Sequence, residues 1–313
     1  MMEIKSEPGN RCKFGVCSES MLEQKIEGIW TREGVRAGKT LTIIGGTHGN
    51  ERTGTEVVLK LKAMIESGAL TIERGTLNLI LGNPRAIEIN ERGSQPFHDL
   101  NRSYSTDLLS REPDGTYEDS RAREIAPFLA KSDVVVDIHS TNKPSEPFLS
   151  CLHSSHHEEV NRWFLCDKIL ADPNFIMGGS SVTTDEYTEA HGGIGISYET
   201  GQASDTSRAD DVMENILDLL SDLELIVHTS TMPTCLREMY ELVEPIILTK
   251  DGFQFAQGFG DHSWEPFFPG QVIGYLGESS LIACYNGMLV FPKITKHWEE
   301  GKAVGYLAKR VSI

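Results

Sequence analysis

The sequence predicts an α/β fold: a largely parallel sheet covered by helices on both faces, followed by a smaller all-β domain. Three observations predict this. Between about Lys39 and Ile226, short apolar runs alternate with segments of helical period. Past about Thr229 only short β-type runs remain, broken by Gly, Pro and Asp. The chain has 313 residues, room for one large α/β unit plus a smaller one.

The stretch up to about Lys39 is mixed and reads as one or two edge strands and a loop. KTLTIIGG (39–46) is a buried strand that runs into Gly45-Gly46, and GTEVVLKLKAMIES (54–67) carries Val57, Val58, Leu61 and Ile65 on one helical face before Gly68. GTLNLILGN (75–83) is a second strand, stopped by Asn83-Pro84. An irregular segment from Arg85 to Glu118 follows, rich in Arg and Asn, and loops of that length are usually functional or disordered. Then come the helix SRAREIAPFLA (120–130), the apolar strand DVVVDIHS (133–140), a strand at EPFLSCLH (146–153) and a helix at HEEVNRWFLCDKIL (157–170). GIGISYETG (193–201) reads as a strand and RADDVMENILDLLSDLELI (208–226) as a long amphipathic helix. A boundary near HTSTMPT divides the chain into residues 1–228 and 229–313. The second part holds strand-like runs at 240–248, 253–259, 271–276, 280–285 and 287–292.

The net charge is −17 with no offsetting Lys/Arg block, which argues against nucleic acid or an anionic membrane surface as partner. A local Arg cluster can still hold a small anionic molecule. The six cysteines, at positions 12, 17, 151, 166, 235 and 284, form no CxxC pair and read as reduced thiols. With no apolar run long enough for a signal or a membrane span, the expectation is a cytoplasmic protein with a small-molecule partner. A homo-oligomer is compatible with all of this.

The polar groups of interest fall at strand ends, where open α/β sheets place ligands. In GGTHGNERTG, His48 and Glu51 follow the first clear strand. An isolated His-x-x-Glu reads first as a helix-opening turn, with Asn50 or Thr53 as cap and Glu51 facing the helix dipole. His139, at the end of DVVVDIHS, changes that reading by completing a two-histidine, one-carboxylate set of the kind that holds catalytic zinc. Asp137, two residues earlier on the same strand face, can orient a ligand or stand as a strand-end charge. A hydrolase also needs a base and a carbonyl-polarising group. Glu199 ends a buried strand, where a carboxylate is costly without a partner or a task. The long loop offers Arg92, Asn101 and Arg102 in NERG and HDLNRSY, suited to carboxylate recognition and oxyanion stabilisation. No GxSxG elbow, P-loop or dinucleotide fingerprint is present, and HSSHHEE (153–159) reads as a solvated surface.

In order along the chain, GGTHGNERTG, NPRA…ER…DLNRSY, DIHSTN and GISYETG resemble the motifs of the aspartoacylase and succinylglutamate desuccinylase family, zinc-dependent relatives of the carboxypeptidases. The resemblance extends to RAD at Arg208–Asp210 and to the β-rich C-terminal part. It implies a carboxypeptidase-like three-layer α/β/α domain with a C-terminal β domain partly capping the cleft. It implies one Zn2+ per chain on His48, Glu51 and His139, and Glu199 as the base that activates the attacking water. Arg92 would polarise the scissile carbonyl, while Asn101 and Arg102 would grip a substrate carboxylate. The implied substrate is a small N-acyl amino acid.

Three positions depart from the aspartoacylase pattern. Where that enzyme has an Arg after a Thr-Thr pair, this chain has Asp185, which repels a side-chain carboxylate and argues against N-acetylaspartate. The family's Asn after the third ligand is Ser140, and its late substrate-contacting Tyr falls in TKHWEEG, where His297 or Trp298 can substitute. Two other readings remain open: a carboxypeptidase-like enzyme acting on a short peptide, and a non-catalytic binding protein with a vestigial site.

Overall fold

A computed structural model describes residues 22–96, 98–152, 155–177, 182–228 and 237–311. The edge begins with β1 (Glu23–Ile26) and β2 (Ile29–Glu33), then β3 (Arg36–Gly45) enters the core and α1 (Arg52–Glu66) returns across it to β4 (Arg74–Leu81). The segment predicted as irregular contains α2 (Pro84–Ile89), a 3-10 turn at Leu100–Arg102 and α3 (Thr106–Ser110). Asn83 caps α2 through Ala86 N–H, with Pro84 at the first helical position, so the residues that stop β4 also start this helix. Next come α4 (Tyr117–Leu129), β5 (Val134–Thr141), β6 (Phe148–Cys151), α5 (Ser155–Asn161), β7 (Lys168–Ala171), α6 (Thr184–Ala190), β8 (Ile194–Gln202) and α7 (Ala209–Asp222).

The expected helix at 157–170 is a correction: α5 ends at Asn161 and Lys168–Ala171 is a strand paired in parallel with β6. Val160, Trp163, Phe164, Cys166, Ile169 and Leu170 are all buried, and an apolar run this dense fits either period. Tertiary pairing decides it, because β7 is the bridge between β6 and the strands that follow residue 237.

Those later strands are β9 (Glu238–Ile247), β10 (Gln254–Phe255), β11 (Glu265–Phe267), β12 (Val272–Leu276), β13 (Ser279–Ile282), β14 (Gly287–Val290) and β15 (Ala303–Val311). A mixed twelve-stranded sheet has the order β1-β2-β4-β3-β5-β8-β6-β7-β9-β15-β14-β11, and β10-β12-β13 form a small antiparallel sheet of their own. The fold class is therefore α/β with a C-terminal antiparallel sheet. The C-terminal strands divide between the two sheets, since β9 pairs in parallel with β7. The expected boundary at 228/229 abuts residues 229–236, which lie outside the described residues, as do Cys12, Cys17, His153 and Cys235.

Helices cover both faces. Leu41 and Ile43 of β3, with Val134, Val136 and Ile138 of β5, pack against Val57, Val58 and Leu61 of α1 and Val212, Ile216 and Leu219 of α7. The alternate residues Ile44, Ile80 and Val135 meet Ala122, Ile125 and Leu129 of α4. Buried on both faces, these strands read as continuous apolar runs. Burying each such aliphatic side chain stabilises the fold by about 1.5–3 kcal/mol before entropy is counted. No helix of the described residues is long and apolar enough to cross a membrane.

Strands β4 and β5 lie on opposite sides of β3, so the chain order reverses beside its C-terminal end. A crevice opens at such a point in α/β sheets. The ends of β3, β5 and β8 all face it.

Candidate active site

The loop leaving β3 is shaped by backbone approach. Gly46 has φ +70, and a Cβ on Gly49 would stand 2.0 Å from the carbonyl carbon of Ala86 in α2. Only glycine fits the second position, and the close approach carries His48 and Glu51 over the ends of β3 and β5. Glu51 occupies the N-cap position of α1 yet makes no capping bond. Its carboxylate is committed elsewhere: Oε1 lies 2.8 Å from His48 Nδ1 and Oε2 lies 3.0 Å from His139 Nδ1, while Ser140 N–H donates to Oε2 at 2.9 Å. Forgoing a cap costs about 1 kcal/mol, which tells against the reading of this turn as a plain helix opening.

On the far side of each imidazole stands another carboxylate. His48 Nε2 lies 3.1 Å from Asp99 Oδ1, and His139 Nε2 lies 3.0 Å from Asp137 Oδ2. Each imidazole therefore stands between two carboxylates, with Glu51 at both Nδ1 atoms and an aspartate at each Nε2. His48, Glu51 and His139 are all buried, with one ligand atom of each lying within 4.8 Å of the others, a donor set that fits a single metal ion. Burial alone would raise the Glu51 carboxyl, but His48 and His139 overcome it and hold it far below the carboxylate range. Burial alone would lower His139, and Asp137 with Glu51 outweighs it in the other direction.

Asp137 is fully buried and held by Thr47 Oγ1 and Thr184 Oγ1, at 2.9 and 2.7 Å. Glu199 is the register partner of His139 across β5 and β8. Burial pushes its carboxyl up to about 7 against the pull of His139, and its Oε2 has no hydrogen-bond partner among the described residues. An acceptor left bare in the interior is costly and marks a position kept for a ligand or a proton.

Arg92 comes to the same point from the long loop. Its Nη2 donates to Asp99 Oδ2 at 2.9 Å, and its Nη1 lies 3.6 Å from Glu51 Oε1. Asn101 is buried with both ends of its amide engaged: Nδ2 lies 3.3 Å from His139 Nε2, and Oδ1 accepts from Thr184 N–H at 2.9 Å. Arg102 is half-buried and, among the described residues, bonds only the carbonyl of Asn101. A cavity of about 980 Å³ is lined by His48, Glu51, Arg92, Asn101, Arg102, His139, Asp185, Glu199 and His297, so nearly all the expected residues share one space. His297 Nδ1 lies 2.6 Å from Asn142 Oδ1 at the rim. Trp298 stands apart: its ring packs near Phe253 and Phe255, and its indole N–H donates to the carbonyl of Lys293.

Two residues of the site were not singled out from the sequence. Asp99 bonds His48, Arg92 and the backbone of Asn101 at once, joining a ligand histidine to the loop arginine. Its only signal was its place at the head of the Asp-Leu-Asn-Arg run. Lys293, from the loop after β14, also lines the cavity and carried no local signal. The reading of HSSHHEE as solvated is corrected at His157, which is buried and paired with Glu189 at 2.5 Å, while His156 is exposed. Cys151 touches the cavity wall, where burial pushes its thiol up to about 12, away from the reactive thiolate.

The family described as succinylglutamate desuccinylase/aspartoacylase catalytic domain matches residues 37–223, more than half of the chain. A probable aspartoacylase of Nostoc sp. is 40% identical over 108 residues, 32% of this chain, and that match spans only 35% of the Nostoc protein. Rat aspartoacylase is 24% identical over 277 residues, covering 81% of this chain and 86% of its own. Among solved structures, succinylglutamate desuccinylase from Vibrio cholerae aligns with a TM-score of 0.72 at 19% identity, over 90% of this chain and 85% of that one, a likeness of fold. On the family match, this chain belongs to the succinylglutamate desuccinylase/aspartoacylase family.

Proposed function

We propose that this chain is a zinc-dependent amidohydrolase that removes the acyl group from a small N-acyl amino acid. The single observation that carries the reading is the buried His48–Glu51–His139 set with Glu199 beside it in register, one carboxylate oxygen unengaged. Zinc is favoured because a two-histidine, one-carboxylate set is its usual catalytic environment. When bound, the metal supplies Lewis acidity toward a water nucleophile and an amide carbonyl.

The chain's own residues do the rest. Glu199 takes a proton from the attacking water, and a C–O bond forms at the acyl carbon. Arg92, held by Asp99, faces the negative charge that develops on the carbonyl oxygen, a contribution of about 10²–10³ in turnover for one such donor. Glu199 then passes its proton to the amine nitrogen as the C–N bond breaks, leaving a carboxylic acid and a free amine. Arg102 anchors the carboxylate of the amino acid. Asp137 and Asp99 hold the two histidines in the tautomer that a metal requires.

The test is a hydrolysis screen over N-acetyl, N-succinyl and N-formyl amino acids with elemental analysis of the same preparation, run in parallel on Glu199→Gln. Wild type is expected to carry zinc and cleave part of the panel. The variant should keep its zinc and lose at least about 100-fold in turnover; retained turnover would remove Glu199 from the base role. A cavity of about 980 Å³ lies at the upper end for small-molecule sites. That size favours one second reading, cleavage of a short peptide at its C-terminal residue. Dipeptides in the same screen separate the two.

A further inference from the structure

One buried carboxylate outside the metal set has no cation to balance it. Glu118, in the first turn of α4, is 1% exposed and enters no ion pair among the described residues. Three neutral donors satisfy it instead. Asn83 Nδ2 donates to Oε1 at 3.0 Å, Ser94 N–H donates to Oε1 at 2.7 Å, and Ser94 Oγ donates to Oε2 at 3.0 Å. Burying a charge on these terms is costly unless its acceptors are fully used. The helix does not need it as a cap, because Thr116 already serves α4 through Asp119 N–H. Its bonds go to other segments.

The base from which Glu118 acts is firmly held. Arg121, one turn further along α4, is buried and donates from Nε to Gly82 O and from Nη2 to Leu81 O, both at 2.8 Å, which ties α4 to the end of β4. The Arg85 guanidinium of α2 lies 4.2 Å from the centre of the Tyr117 ring, and Asn83, the cap of α2, is itself a donor to Glu118. From this base Glu118 reaches Ser94, two residues past Arg92. The other backbone ties of the segment are longer: Asn90 and Glu91 N–H donate to Ile87 O and Ala86 O at 3.2 and 3.1 Å, and Gly49 N–H donates to Arg92 O at 3.4 Å. The Arg92–Asp99 pair joins two points of one loop, so it orients the guanidinium without by itself placing the loop.

We infer that Glu118 is a positioning residue: by fixing the loop at Ser94 it sets Arg92 beside Glu51 in the cavity, and its effect on turnover passes through Arg92. The inference rests on the role given to Arg92 in the amidohydrolase reading. Misplacing such a group by about 1 Å is enough to cost about 100-fold in rate.

The experiment uses the full chain loaded with zinc and the N-acyl amino acid cleaved fastest in the screen. It compares wild type, Glu118→Ala, Glu118→Gln, Arg92→Ala and the double variant Glu118→Ala/Arg92→Ala, with zinc content and hydrogen exchange of peptides spanning 90–96 followed on each. Glu118→Ala should keep its zinc, exchange faster at 90–96 and lose about 10- to 100-fold in kcat with KM little changed. Glu118→Gln should recover most of that loss, since its carbonyl oxygen can accept from Asn83 and from Ser94 N–H while its amide donates to Ser94 Oγ. The double variant should be no slower than Arg92→Ala alone, the mark of two residues acting as one unit. A double variant slower by the whole Glu118→Ala factor, a Glu118→Ala enzyme of wild-type kcat, or a loss confined to KM overturns the inference. Should Glu118→Ala fail to fold, Ser94→Ala, which removes one of the three bonds, carries the same cycle with Arg92→Ala. Wild-type turnover in Arg92→Ala would instead defeat the role proposed for Arg92, and exchange at 90–96 then decides by itself: faster exchange leaves the anchoring by Glu118 standing, and unchanged exchange overturns it.

Discussion

At the scale of single residues, chemistry dictates residue type more tightly than it dictates position. His48, Glu51, His139 and Glu199 could be singled out from the sequence because each sits at or just past the end of an apolar strand, and the structure brings the four together. Asp99 could not, because its role exists only once the long loop folds back over His48. Burial alone would raise its carboxyl, yet Arg92 and His48 pull it well below the ordinary range, so it is a fixed negative charge shared between ligand and loop. Asp99→Asn is expected to weaken metal affinity by about 10- to 100-fold, the usual effect of losing a partner behind a ligand histidine. Turnover should also fall at saturating metal, because Arg92 loses its tether. A chelator competition titration followed by kinetics in excess zinc measures both. Wild-type affinity with wild-type turnover would show that Asp99 positions neither group.

At the scale of elements, helices with a clear apolar stripe and capping signals lay close to expectation. Helix α1 was expected over 54–67 and spans Arg52–Glu66; α7, expected within 208–226, spans Ala209–Asp222. Elements set by tertiary pairing were not legible. Helix α6 is seven residues long, opened by a capping box between Thr183 and Glu186, and strand β7 is four residues placed by its neighbours. The loop between β3 and α1 is where element and site meet. Because a Cβ on Gly49 would fall 2.0 Å from Ala86 C and 2.1 Å from Ala86 O, Gly49→Ala must push the loop before α1 away from α2. It is expected to cost about 1–3 kcal/mol in stability and to reduce metal retention, since His48 and Glu51 flank the displaced backbone. Thermal melts with and without metal test this, and an unshifted melt with full metal content would mean that loop and helix tolerate the separation.

At the scale of the whole molecule, a chain of net charge −17 encloses a cavity lined by side chains of both signs. Composition alone discloses the charge and not the cavity, because residues such as Arg92, Arg102 and Lys293 lie about two hundred residues apart at the extremes and come to line one space only in three dimensions. The same limit applied to topology: the short C-terminal β runs were legible, but their division between the long sheet and the separate three-stranded sheet was not. That division brings Pro245, Phe291, Lys293, His297 and Tyr306 to the cavity wall, opposite the strand ends that carry the metal set. The proposed function requires a metal ion at His48, Glu51 and His139 serving amide hydrolysis, and the most direct measurement follows zinc content and N-acyl amino acid hydrolysis in one preparation through chelation and zinc restoration. The prediction is one zinc per chain, with hydrolysis that disappears as zinc is withdrawn and returns as it is restored. Hydrolysis that survives complete removal of metal, or a chain that binds no divalent ion, would contradict it.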